Sequence, residues 1–193
     1  MDFKKIRHYL SIILFVVFIV CTINIIYKET CKKKEGKNGE LNEKQKKFLL
    51  TLTDMADILE SNNIHYFLLG GTALGCHREK KFIDHDNDID LGIFEDVSFT
   101  NILNIVNKSG KFKLKIAWPR NTDIENATEL TFTHKDTLVN LDIFKHIKKG
   151  EYKYISYAYG GKCDNKPRNR CEYLDIIKLN KVNFLGRMYN VPE

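Results

Sequence analysis

Residues 66–94 read YFLLGGTALGCHREKKFIDHDNDIDLGIF, and their interpretation decides the fold. An apolar run breaks at Gly70-Gly71, a short connecting helix follows, and a second strand then carries acids at alternate positions. In Asp88-Ile89-Asp90-Leu91 the side-chain period of two puts both carboxylates on one face and both aliphatic side chains on the other. Adjacent carboxylates repel each other and call for a cation. An oxygen-only donor set at this spacing suits Mg²⁺ or Mn²⁺, which retain waters and take substrate phosphates as further ligands. Glycines where the first strand ends leave the backbone bare enough for a phosphate to reach main-chain N–H groups at a helix start. The stretch therefore predicts a metal and a phosphate sharing one cleft.

On its N-terminal side, Phe48, Leu52, Met55 and Leu59 recur at helical spacing, which predicts an amphipathic helix over residues 43–61. Residues 64–69 are almost continuously apolar, as in a strand covered on both faces. On the C-terminal side, Ser98 reads as a helix start, with an apolar face through Ile102 and Val106 and a stop at Gly110. Strands are expected over residues 112–118, 129–133 and 138–144. The last of these sets Asp142 inside a β-forming apolar run, and a carboxylate there is costly unless it is paired or bound to metal. Tyr152, Tyr154, Tyr157 and Tyr159 form an aromatic strand, read as sheet packing, and residues 182–191 read as one further strand. His77 and His85 are read as structural. The pattern is α/β: a small mixed sheet with flanking helices, in which three acids from neighbouring strands converge at one edge.

Residues 9–27, YLSIILFVVFIVCTINIIY, carry no charge over a length close to the roughly 20 residues needed to cross a bilayer, so one N-terminal transmembrane helix is expected. The implied organisation is a cytoplasmic tail over 1–8, a retained signal anchor over 9–27, a lysine-rich stem over 28–42 and a folded domain over 43–193. Lysines flank the span on both sides, and charge alone does not give a lumenal domain. The sequons at Asn107 and Asn126 do favour one, as does a Cys163–Cys171 pair that could close a small disulfide in an oxidising compartment. A net charge of +6 is spread over scattered lysine clusters without interleaved aromatic residues, which argues against nucleic acid as a partner.

These elements together resemble the fukutin family, within the wider group that includes bacterial LicD-type phosphocholine transferases. Four motifs match in order: GGTALG with His77-Arg78-Glu79; Phe82-Ile83-x-His85; Asp88 to Phe94; and Glu129-Leu130-Thr131-Phe132 ahead of Leu141-Asp142-Ile143-Phe144. Asp84 stands where many relatives have proline, and Asn87 where LicD-like members have another acid. The resemblance stops early at Pro192-Glu193, so a shortened member is expected.

The resemblance implies a nucleotidyltransferase-like fold in a Golgi or ER type II membrane protein. Such a protein would transfer a phospho-alditol such as ribitol 5-phosphate, or phosphocholine, from a CDP-linked donor to a glycan or glycoprotein acceptor, alone or in complex with other glycosyltransferases. Carried onto this chain, Asp88, Asp90 and Asp142 are the metal ligands for Mg²⁺ or Mn²⁺, with Asp142 also a candidate base. Gly70, Gly71 and Thr72 form the phosphate-proximal turn, and Arg78 is a phosphate contact. Two other functions fit the same chain: a catalytically silent membrane-anchored partner of glycosylation enzymes, and a nucleotidyltransferase that consumes CTP.

Overall fold

The computed structural model describes residues 41–151, 153–159, 167–174 and 178–193. The expected membrane span and stem, and the Cys163–Cys171 pairing, lie outside the described residues. Among the described residues no helix is long and apolar enough to cross a membrane.

Helix α1 (Glu43–Ser61) forms where the apolar spacing predicts it, with Phe48, Leu52, Met55 and Leu59 all buried. Each such side chain contributes roughly 1.5–3 kcal/mol relative to remaining in water. The chain then enters β1 (Phe67–Leu68), α2 (Gly70–Arg78) and β2 (Asp88–Phe94). The expected strand over 64–69 shrinks to two residues, because Leu69 already serves as the extended N-cap of α2. Its pairing with β2 is antiparallel, so β1 lies at the sheet's edge. Helix α3 (Phe99–Ser109) starts and stops as its sequence dictates. The Ser98 side chain accepts from the Asn101 N–H at the start, and Gly110 closes the end in the left-handed region at φ 72°.

Strands β3 (Phe112–Trp118), β4 (Glu129–His134) and β5 (Asn140–Lys148) complete the central sheet in the order β1-β2-β5-β4-β3. β5 begins two residues later than expected. Leu138, at φ 63°, belongs to the turn from β4, where its N–H donates to the His134 carbonyl at 3.0 Å. β5 then runs on to Lys148 and hands over to β6 (Lys153–Tyr159), which pairs with β7 (Pro167–Leu174).

The single strand expected over 182–191 is instead a hairpin of β8 (Leu179–Phe184) and β9 (Arg187–Pro192). Leu185 and Gly186 connect them at φ 52° and 93°, the paired positive angles of a tight hairpin turn. Arg187 ties this hairpin to α1 through Asp57 and Glu60, each at 2.6 Å.

The sheet has two distinct faces. Ile89, Leu91, Ile93, Leu130, Phe132, Leu141 and Ile143 join Leu52, Met55, Ile102 and Val106 in one core. Alternation along the same strands sends Asp88, Asp90, Asp142, Thr131 and Glu129 to the other face.

Candidate active site

β2 and β5 run parallel, in a register that sets Asp90 directly opposite Asp142 and Asp88 opposite Asn140. Two acids from one strand and one from the next thus occupy the same patch of sheet. The structure adds a fourth, Asp86, in the loop entering β2. Carboxylate oxygens of Asp86, Asp88 and Asp90 lie within 4.8 Å of one another. The sequence carries the signal for it, since Asp86-x-Asp88-x-Asp90 continues the period of two. Asp86 is not among the expected ligands because it precedes the strand whose alternation marks the other two. The most compact acid set is therefore Asp86, Asp88 and Asp90, with Asp142 one strand away.

The two glycines let this cluster approach a helix start. A Cβ on Gly70 would collide with the Asp90 carboxylate, and one on Gly71 with the Asp86 carboxylate. Gly70 also sits at φ +51°, a conformation glycine adopts without strain. The Gly71 N–H donates to Asp90 Oδ2 at 3.0 Å, so this helix N–H is engaged by a carboxylate rather than left open toward a phosphate. Thr72 is buried, and its Oγ1 accepts from the Asp90 N–H at 3.0 Å, tying helix to strand from the other side.

Arg78 is located elsewhere. It lies in the last turn of α2, about 12 Å along the axis from Gly70 by helical rise, and pairs with Glu79 at 2.8 Å on an exposed surface. The loop bearing Asp86 is pinned by Gln45 of α1. This buried amide donates to the Phe82 carbonyl at 2.8 Å and accepts from the Phe82 N–H at 3.1 Å.

The electrostatics follow from burial and mutual repulsion. Burial first, then Asp88 and Asp142, push Asp90 up to about 8, against the opposing pull of the Gly71 N–H. Asp88 rises to about 6 through burial, the Asp142 charge and its contact with Asp86. Asp142 is also raised by burial, with Thr131 and Lys115 working against the rise. Its Oδ1 is buried without a hydrogen-bond partner. Glu129, only 3% exposed, was not among the expected site residues. Burial and Asp142 lift it to about 8, while the Tyr159 N–H donates to its Oε2 at 3.0 Å.

A set of hard oxygen donors that resists ionising, with one buried oxygen lacking a partner, fits a divalent cation of the Mg²⁺ or Mn²⁺ type. Beyond Glu129 the face is closed by Trp118 stacked on Tyr159, with ring centroids 5.4 Å apart. Tyr154 packs on Phe94 at 5.2 Å, so these two tyrosines act as sheet packing.

Residues 63–193 match the family model described as LicD/FKTN/FKRP, nucleotidyltransferase domain. The chain belongs to this LicD family. The matched segment contains every acid of the site. Among curated proteins, this LicD domain resembles the uncharacterized protein T07A5.1 of Caenorhabditis elegans, 32% identical over 163 residues, covering 74% of this chain and 40% of that protein. It also resembles proteins named ribitol-5-phosphate transferase FKTN. The Macaca fascicularis and Homo sapiens forms are each 29% identical over 168 residues, covering 77% of this chain and 34% of theirs. The chain thus spans well under half the length of these relatives. Among solved structures, the lincomycin-bound lincosamide antibiotic adenylyltransferase LnuA aligns with a TM-score of 0.49 and 15% identity, over 80% of this chain and 82% of its own.

Proposed function

We propose that this LicD-family domain is a glycan-modifying phosphotransferase that moves a phosphorylated alcohol, such as ribitol 5-phosphate or phosphocholine, from a CDP-linked donor to a glycan hydroxyl. It would face the Golgi or ER lumen, held to the membrane by residues 9–27. The carrying observation is the convergence of Asp86, Asp88 and Asp90 with Asp142 across a parallel register, beside a glycine corner that admits the carboxylates. The relatives named ribitol-5-phosphate transferase support the choice of head group.

Asp86, Asp88 and Asp90 would hold a divalent cation, with Asp142 as a further ligand or as the base. When bound, such an ion supplies charge neutralisation for the diphosphate and the departing phosphate. The chain's own residues do the positioning that dominates phosphoryl transfer. Thr72 and the Gly71 N–H fix Asp90 at backbone and carboxylate, and Gln45 fixes the loop that brings in Asp86. In the transfer the acceptor oxygen bonds the phosphorus distal to cytidine, the bridging P–O bond breaks, and CMP leaves. Asp142, whose Oδ1 has no hydrogen-bond partner, would take the acceptor's hydroxyl proton.

The test is full-length protein in detergent with Mg²⁺ and a panel of CDP-linked donors, scored for CMP release with and without glycan acceptors, with Asp90→Asn as control. Acceptor-dependent CMP release that the variant lacks supports the proposal, and silence across the panel refutes it. A second reading, a nucleotidyltransferase consuming CTP, is favoured by the family description itself. It would release pyrophosphate from CTP and ignore CDP-linked donors.

A further inference from the structure

Strand β3 lies at the open edge of the sheet and is interrupted by a bulge. Leu114 pairs with Phe132 and Ile116 pairs with Thr131, which leaves Lys115 as the extra residue. Two residues of β3 therefore stand against one of β4, the arrangement that bends an edge strand and re-aims a side chain beside a site. Ahead of the bulge Lys113 shares a face with Thr133, and after it Trp118 shares a face with Glu129. Lys115 lies at the switch, on the acid side of the sheet.

The side chain does not simply point into water, as an edge lysine that discourages strand pairing would. Its Nζ reaches past β4 to donate to Asn140 Oδ1 on β5 at 3.3 Å. Asn140 is the residue directly opposite Asp88 and two positions before Asp142. Its Oδ1 is held in place by the Thr133 hydroxyl, which donates at 3.0 Å. The ammonium thus stops at the border of the acid cluster, hydrogen-bonded to a neutral amide and, among the described residues, in ion-pair contact with no carboxylate, while its charge is felt by Asp142 one strand in. A long, exposed hydrogen bond of this kind yields readily to an anion. A diphosphate spanning the cation-binding acids presents its remaining anionic oxygens outward from the cluster, and a lysine is a compact point charge suited to them.

We propose that Lys115, set on the β3 bulge and steered by Asn140, forms a phosphate-binding subsite that grips the diphosphate from the side opposite the acid cluster. This rests on reading the acids as a phosphotransferase centre. The probe is Mg²⁺ with inorganic pyrophosphate, titrated calorimetrically into full-length protein in detergent. Wild type is expected to bind, Lys115→Ala to lose about tenfold or more in affinity as befits a charge-assisted hydrogen bond, and Lys115→Arg to stay close to wild type. The affinity of Lys115→Ala should also fall less steeply with added salt, which loss of a merely structural contact would not produce. Equal melting temperatures for the three proteins show that the fold is kept.

Binding kept in Lys115→Ala but lost in Asp90→Asn overturns the subsite and leaves the phosphotransferase reading standing. Failure of wild type to bind magnesium pyrophosphate removes both.

Discussion

Replacing Asp90 with Asn should stabilise the metal-free protein. Asp90 ionises ordinarily at 3.8 but is lifted to about 8 in the fold by burial and by its neighbours Asp88 and Asp142. A carboxyl raised in this way favours folding below the unfolded value, and the advantage is lost as pH climbs through the folded one. At pH 7 the folded protein must keep a proton that the unfolded chain has released, at about 1.4 kcal/mol per pH unit above 3.8, an upper bound of roughly 4 kcal/mol. Sharing of the repulsion with Asp88 and relaxation around a half-buried group reduce this to about 2 kcal/mol.

Asparagine carries no proton to lose, and its Oδ1 can still accept from the Gly71 N–H. For a unit of this size Asp90→Asn should therefore melt about 4–8 °C above wild type at pH 7 in chelator, and at the same temperature as wild type at pH 4. Millimolar Mg²⁺ should close the gap at pH 7 by raising wild type alone. The assay is a melt followed by circular dichroism at both pH values, with and without Mg²⁺. A variant that melts lower than wild type at pH 7 in chelator refutes the electrostatic account, and an equal response of both proteins to Mg²⁺ refutes the ligand assignment.

Gln45→Leu leaves the N–H and C=O of Phe82 without their side-chain partner, at about 1–3 kcal/mol for each group left unsatisfied, so the melting temperature should drop together with Mg²⁺ affinity. A drop in stability with unchanged Mg²⁺ affinity would mean that the loop bearing Asp86 is held by something else. Gly71→Ala meets only the mobile end of Asp86 and sits in a helix, where alanine is favoured by about 1 kcal/mol. It should melt near wild type yet bind Mg²⁺ at least about tenfold more weakly by calorimetry, since a ligand is pushed aside. Gly70→Ala, strained at φ +51° and aimed at Asp90, should lose stability as well.

The parts of the fold that were legible in the sequence were those where a single period ran unbroken over enough residues. α1 and α3 show helical spacing and clear stops, and β3 and β4 fall within a residue of their expected bounds. The failures are all local backbone decisions. Leu138 and Leu185 adopt positive φ, which an apolar residue rarely does, so neither turn announced itself. The Asp90–Asp142 pairing could be expected in outline because each acid breaks an apolar run. Asp86 was hidden in the approach to the strand. Glu129 reads as an ordinary strand end, and only pairing with Phe144 turns it toward the acids. Arg78 belongs to a matching motif, yet it sits in the last turn of α2, at the end away from Gly70, and pairs with Glu79.

The acid geometry is ultimately set by the core. β2 and β5 are parallel and separated by α3, β3 and β4, so no tight turn can fix their register. What fixes it is alternation: Leu141 and Ile143 are fully buried on one face, while Asp142 looks out on the other. A slip of one residue would turn Asp142 into the packed layer against α1 and α3 and expose both aliphatic side chains. Their lost burial alone amounts to about 3–6 kcal/mol, before the much larger cost of an unpaired buried carboxylate is counted. The same apolar residues that make the sheet stable therefore hold Asp90 and Asp142 side by side. The repulsion between these acids is tolerated because the register cannot change without losing the core, so the metal-free fold relieves it by holding a proton on Asp90 rather than by moving the strands.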